Sequence, residues 1–135
     1  MSSVRIAQNV IDDMLAHARQ EAPNECCGLL IGGRRLIERS VRARNRETVP
    51  TRYLIDPEDH LAAIHAARAG NSKVVGAYHS HPASPPSPSP SDIAEATGGS
   101  DFIYVIVSLV TSGGEVFAYR LKNGAVQPLE LISSA

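Results

Sequence analysis

At 135 residues the chain has material for one hydrophobic core and too little for two. An apolar fraction of 43% sets it among ordinary globular proteins and against disorder. Acidic and basic residues nearly balance, 14 against 13, and the net charge of −1 gives no electrostatic case for nucleic acid or an anionic membrane.

The basic cluster from Arg34 to Arg46 alternates with Leu36, Ile37, Val41 and Ala43, which reads as the solvated face of a strand. The N-terminus lacks a signal-peptide pattern, and no apolar run reaches the length of a membrane span. The two cysteines, Cys26 and Cys27, are neighbours, and ordinary disulfide geometry needs more separation. A chain without a disulfide framework fits a reducing cytoplasm, and one domain over residues 1–135 is expected.

From Gln8 to Glu21, Val10, Ile11, Met14, Leu15 and Ala18 recur at helical spacing, and Pro23 stops the helix. His17 reads as a solvated residue beside that stripe. Cys26 to Ile31 is a short apolar run, ended by Gly32-Gly33, that reads as a buried strand turning into a second one over Arg34 to Arg42. Thr51 to Ile55 reads as another short strand. Asp56-Pro57 then opens a helix, the aspartate capping free N–H groups and the proline suiting the first helical position. This helix carries Leu61 and Ile64, ends at Gly70-Asn71, and places His60 and His65 on its surface or edge.

Lys73 to Ser80 is nearly continuous in apolar residues, as in a strand covered on both faces. Pro82 to Pro90 is too rich in proline for regular structure, and Ser91 or Asp92 opens a short helix ending near Gly98-Gly99. Asp101 to Val110 is the most apolar strand, followed after Ser112-Gly113-Gly114 by Val116 to Leu121 and after Asn123-Gly124 by Ala125 to Leu129. Helices and strands interleave, so the expected class is α/β, a mixed sheet flanked by helices.

The chemistry concentrates in His79-Ser80-His81-Pro82 and Ser89-Pro90-Ser91-Asp92. In an extended segment, residues i and i+2 share a side, so His79 and His81 can converge on one ion while Ser80 turns away. Asp92, returned by the proline-rich loop, can complete a site of three protein ligands with a fourth place open. Imidazole and carboxylate together favour zinc over calcium or magnesium. A hydrolytic site also needs a base and an oxyanion donor. Glu25 stands at the start of an otherwise apolar strand, where a carboxylate is costly unless it is partnered or functional.

These two segments together resemble the JAMM motif of the MPN+ (JAB-type) metallopeptidases. Pro23-Asn24-Glu25-Cys26-Cys27-Gly28-Leu29-Leu30-Ile31-Gly32 resembles that family's other signature, and the likeness runs from the first helix to the last strands. The resemblance implies a JAB/MPN domain, similar in architecture to the cytidine deaminases. It further implies Zn2+ held by His79, His81 and Asp92, Glu25 as general base on the zinc-bound water, and Ser89 as hydrogen-bond donor to the tetrahedral intermediate. Both cysteines read as small buried apolar residues.

Within the family, this minimal chain looks like the small bacterial members that process ubiquitin-like β-grasp sulfur-carrier proteins at a bond next to the C-terminal Gly-Gly. The same residues would serve an isopeptidase removing a ubiquitin-like modifier from lysine, and peptide and isopeptide bonds stay open alternatives. A non-catalytic MPN scaffold module is a third reading, against which the intact motif counts. A base deaminase expects His-x-Glu and a downstream Pro-Cys-x-x-Cys, and neither occurs.

Overall fold

The computed structural model describes residues 2–33 and 35–134. Its elements run β1 (Ser3–Ala7), α1 (Gln8–Glu21), β2 (Cys27–Gly32), β3 (Leu36–Ala43), α2 (Pro57–Ala69), β4 (Lys73–His81), α3 (Pro90–Ala94), β5 (Ile103–Ser108), β6 (Glu115–Lys122) and β7 (Ala125–Ser134). The strands pair in the order β1-β3-β2-β4-β5-β6-β7, and β7 returns to β1, closing the sheet on itself. The β1–β3, β1–β7 and β4–β5 pairs are parallel and the others antiparallel.

Strand alternation sorts the core into two sides. Leu30, Tyr78, Val105 and Val107 point to one side and pack with Val10, Met14 and Ala18 of α1. Leu29, Ile31 and Ala77 point to the other and pack with Ala63 and Ala67 of α2. The two helices therefore cover opposite faces of β2 and β4, giving the expected mixed sheet with flanking helices. Val10 and Met14 are fully buried, which stabilises by about 1.5–3 kcal/mol each. Gly28 has a steric reason: a Cβ there would overlap the Tyr78 ring and the Val41 carbonyl.

Several local expectations need correction. β1 was not foreseen; its five residues are too few to show a pattern alone, and it gains its place by pairing with β3 and β7. Thr51–Ile55 is not a strand: apart from a bridge between Ile55 and Asn45 it is a loop. His17 is 5% exposed, not solvated. It sits seven residues after Val10, on the buried stripe itself, and its Nδ1 lies 2.7 Å from the Tyr78 hydroxyl, which answers both polar groups. Leu61 is exposed on α2, where the small Ala63 and Ala67 make the sheet contact instead. α3 opens at Pro90 and stops at Ala94, before Gly98. The proposed strand start at Arg34 lies outside the described residues; β3 begins at Leu36.

Candidate active site

The β2–β4 ladder pairs Cys27 with His79, and the Ser80 amide donates to the Cys26 carbonyl at 3.1 Å. Carried two residues outward, this register sets Glu25 across from His81, so parity alone puts His79, His81 and Glu25 on one face. Glu25 itself precedes β2 rather than starting it. Ser80 faces the other way, and its Oγ accepts from the Cys26 amide at 2.8 Å, which ties the end of β4 to the start of β2.

The proline-rich loop is pinned through three successive carbonyls. Ser108 Oγ donates to Ser84 O at 2.6 Å, His81 Nδ1 lies 2.8 Å from Pro85 O, and Tyr119 Oη donates to Pro86 O at 2.6 Å. Prolines bring no N–H of their own, so a proline-rich loop has few amides to answer its carbonyls, and side chains from outside the loop do so. The loop then delivers Ser89 as the N-cap of α3. Ser89 Oγ accepts from the Asp92 amide at 3.1 Å, and the Ser89 amide donates to Asp92 Oδ2 at 2.9 Å. This is a capping box with aspartate at its third position, and Pro90 fills the first helical position. The spacing of the Ser-x-x-Asp segment thus has a local cause: it turns the Asp92 carboxylate back onto the strand.

Asp92 Oδ2 lies 3.1 Å from His79 Nε2 and 3.1 Å from His81 Nε2, and the two Nε2 atoms are 3.2 Å apart. The Pro85 carbonyl can only accept, so it holds the His81 proton on Nδ1. With Nε2 unprotonated, His81 aims a lone pair at a carboxylate oxygen, an arrangement that a proton or a cation between them satisfies. Tetrahedral zinc with ordinary Zn–N and Zn–O bonds spaces its ligand atoms by roughly 3.3 Å, close to the triangle observed. These three residues could hold a metal ion.

Without a metal, burial and mutual contact shift every member of the cluster. Burial lowers the His79 pKa. Burial also acts to lower that of His81, but hydrogen bonds to Asp92 and the Pro85 carbonyl prevail and raise it. Burial acts to raise the Asp92 carboxyl, but its contacts with His79 and His81 prevail and hold it far below its usual range. Glu25 goes the other way: burial pushes it up to about 7, with His81 opposing and Asp92 adding to the rise. Its Oε1 is buried with no hydrogen-bond partner among the described residues. The Cys26 and Cys27 thiols are pushed up by burial to about 11 and about 12, and both cysteines are free and buried.

All five residues singled out from the sequence are thus neighbours through the β2–β4 register and the capped loop. Two side chains were missed. Tyr53 stacks on His79 with ring centroids 4.2 Å apart and planes 17° from parallel. Asn45 hydrogen-bonds the Glu25 carbonyl. The aromatic in a segment read as a strand was the only available signal for the first; nothing marked the second.

A cavity of about 870 Å³ borders Glu25 and is lined by Asn24, Arg44, Thr48 and Val49 among others. Another of about 840 Å³ involves Arg5, Lys73 and Arg120, and neither cavity is lined by His79, His81 or Asp92. No described helix is long and apolar enough to cross a membrane.

Comparison with known proteins adds an independent line. Residues 7–122 match the family described as prokaryotic homologs of the JAB domain. The chain is 35% identical over 132 residues to the CysO-cysteine peptidase of Mycobacterium tuberculosis, covering 94% of this chain and 90% of that one. It is 39% identical over 92 residues to a probable TtuB-protein conjugate cleaving protease of Thermus thermophilus, covering 67% and 62%. The solution structure of a Desulfitobacterium hafniense protein superposes with a TM-score of 0.90 at 34% identity, covering 97% of this chain and 92% of that one. With the family matched over most of its length and peptidases among its relatives, the chain belongs to the prokaryotic JAB family and is a JAMM-type metallopeptidase.

Proposed function

We propose that this protein is a zinc-dependent peptidase that hydrolyses the bond following the C-terminal Gly-Gly of a ubiquitin-like β-grasp sulfur-carrier protein. The observation that carries the reading is the convergence of three potential ligand atoms, from His79, His81 and Asp92, beside a buried Glu25 oxygen with no partner among the described residues. When bound, zinc supplies Lewis acidity to the scissile carbonyl and acidifies a water. Glu25 takes the proton from the attacking water and passes it to the leaving amine, which its raised pKa of about 7 suits. The Ser89 hydroxyl accepts from the Asp92 amide and lies 3.1 Å from Ser91 Oγ; with Ser91 as donor in that pair, the Ser89 proton serves the developing oxyanion. One domain, residues 1–135, carries the whole apparatus in this reading.

The substrate class rests on the family resemblance together with two relatives, one named for CysO-cysteine and one for TtuB-protein conjugates. A Gly-Gly tail has no side chains to hinder approach of its carbonyl to the cluster. Isopeptide hydrolysis is the second reading, favoured by the relative named for protein conjugates. The test is incubation of the purified protein with a sulfur-carrier protein extended past Gly-Gly, with mass spectrometry reading the cut. Chelator-sensitive cleavage directly after Gly-Gly is expected; cleavage indifferent to chelation, or none on any carrier, would sink the proposal.

A further inference from the structure

We propose that Asn45 is a positioning residue of this site, fixing through one side-chain amide both the backbone that carries Glu25 and the aromatic ring behind His79. The proposal rests on the reading of Glu25 and His79 given above.

Asn45 Nδ2 donates to the Glu25 carbonyl at 3.0 Å and to the Arg52 carbonyl at 3.1 Å. Its Oδ1 accepts from the Glu47 amide at 3.0 Å and the Leu54 amide at 2.9 Å. A primary amide offers two N–H donors and two acceptor lone pairs, so the whole capacity of this side chain is in use. Two of its partners, Arg52 and Leu54, flank Tyr53 on either side. The peptide groups that would otherwise seek a strand neighbour are answered by one side chain, which is why residues 51–55 do not form the expected strand.

Tyr53 is in turn what holds His79. His81 is oriented through Nδ1 by the Pro85 carbonyl. No hydrogen bond to His79 Nδ1 is found among the described residues; its ring is set by the stack on Tyr53. The two ligand histidines are thus fixed by different devices, one by a loop carbonyl and one by an aromatic face. Outer contacts of this kind commonly govern metal affinity.

The segment is closed at its base without Asn45's side chain. Arg46 N donates to Leu54 O at 2.8 Å and Asp56 N to Arg44 O at 2.9 Å. Asp56 caps α2 through the Glu58 and Asp59 amides and accepts from Arg46 at 2.9 Å. Removing the amide therefore leaves a closed loop but uncouples it from Glu25 and frees Tyr53 to shift.

The test compares Asn45→Ala, Tyr53→Phe, Tyr53→Leu and the Asn45→Ala/Tyr53→Leu double variant of the full chain. Zinc affinity is read by chelator competition, and kcat and KM on the extended carrier are read separately. Asn45→Ala and Tyr53→Leu are expected to weaken zinc by about 10–100-fold and to lower kcat more than they change KM. Tyr53→Phe keeps the stacking ring and is expected to weaken zinc less than Tyr53→Leu does. The double variant falls short of the product of the two single effects, because one acts through the other. A folded Asn45→Ala protein with wild-type zinc affinity and kcat would overturn the proposal. If Asn45→Ala fails to fold, Asn45→Asp retains the acceptor and loses the donated bonds, and the same readouts decide. Failure of the wild type to bind zinc would overturn the metal-site reading beneath it, an outcome distinct from wild-type binding that the variants leave untouched.

Discussion

His81 Nδ1 lies 2.8 Å from the Pro85 carbonyl oxygen, and that contact decides what the rest of the cluster can be. A carbonyl accepts only, so the proton sits on Nδ1 and the Nε2 lone pair faces Asp92 Oδ2 at 3.1 Å. Two like-minded acceptors at that distance repel unless a proton or a metal ion lies between them.

Removal of one ligand should therefore remove the metal. His81→Ala is expected to lose stoichiometric zinc, measured by elemental analysis after exhaustive dialysis against trace-metal-free buffer. Unchanged zinc content would mean that the two histidines are not a ligand pair.

The Glu25 shift fixes a pH dependence. Its carboxyl rises from 4.5 to about 7, and only the ionised form can take a proton. Cleavage rate is expected to climb with pH through about 7 and to fall away below it. For the metal-free fold the sign is opposite. The folded state binds more protons than the unfolded state between pH 4.5 and about 7, so stability declines as pH rises through that window. Glu25→Gln makes this decline shallower in thermal melts taken with chelator, leaving the part due to His81, whose pKa is also raised; an undiminished decline contradicts the Glu25 shift.

Ser89 has two jobs that one substitution can separate. Ser89→Ala loses the cap on α3, which costs about 1 kcal/mol and shows in denaturant melts. The oxyanion role predicts in addition a fall in kcat of about 10²-fold at saturating zinc. Loss of stability with kcat intact would leave Ser89 as a cap alone.

Gly28 carries the packing of the family signature. A methyl group there meets the Tyr78 ring and the Val41 carbonyl backbone, and Tyr78 is itself held by His17. Gly28→Ala is expected to destabilise by about 1–3 kcal/mol, seen as a lower denaturation midpoint with an unchanged slope. A neutral result would show that β3 gives way there.

The metal cluster was legible because its causes are local. Alternation along β4 pairs the histidines, and Ser89 with Asp92 is a helix cap before it is anything else. Glu25 was legible through the resemblance, and physically through a carboxylate at the edge of an apolar run. Tyr53 and Asn45 were not, because their roles come from long-range placement. The stack on His79 depends on a loop folding back across β4, and Asn45's four bonds go to backbone groups, which leave no trace in side-chain pattern. His17 was misjudged for a related reason: its partner, Tyr78, lies sixty-one residues away. The closure of the sheet was likewise hidden: a last strand from Ala125 was expected, but β1 is five residues long and its parallel pairing with β7 is a long-range contact.

The central claim is that Glu25 moves the proton while His79, His81 and Asp92 hold the metal. The most direct measurement is zinc stoichiometry and cleavage rate on the same preparation of Glu25→Gln. One zinc per chain with nearly all activity lost is the predicted result. Full hydrolysis by that variant, with zinc in place, would contradict the account.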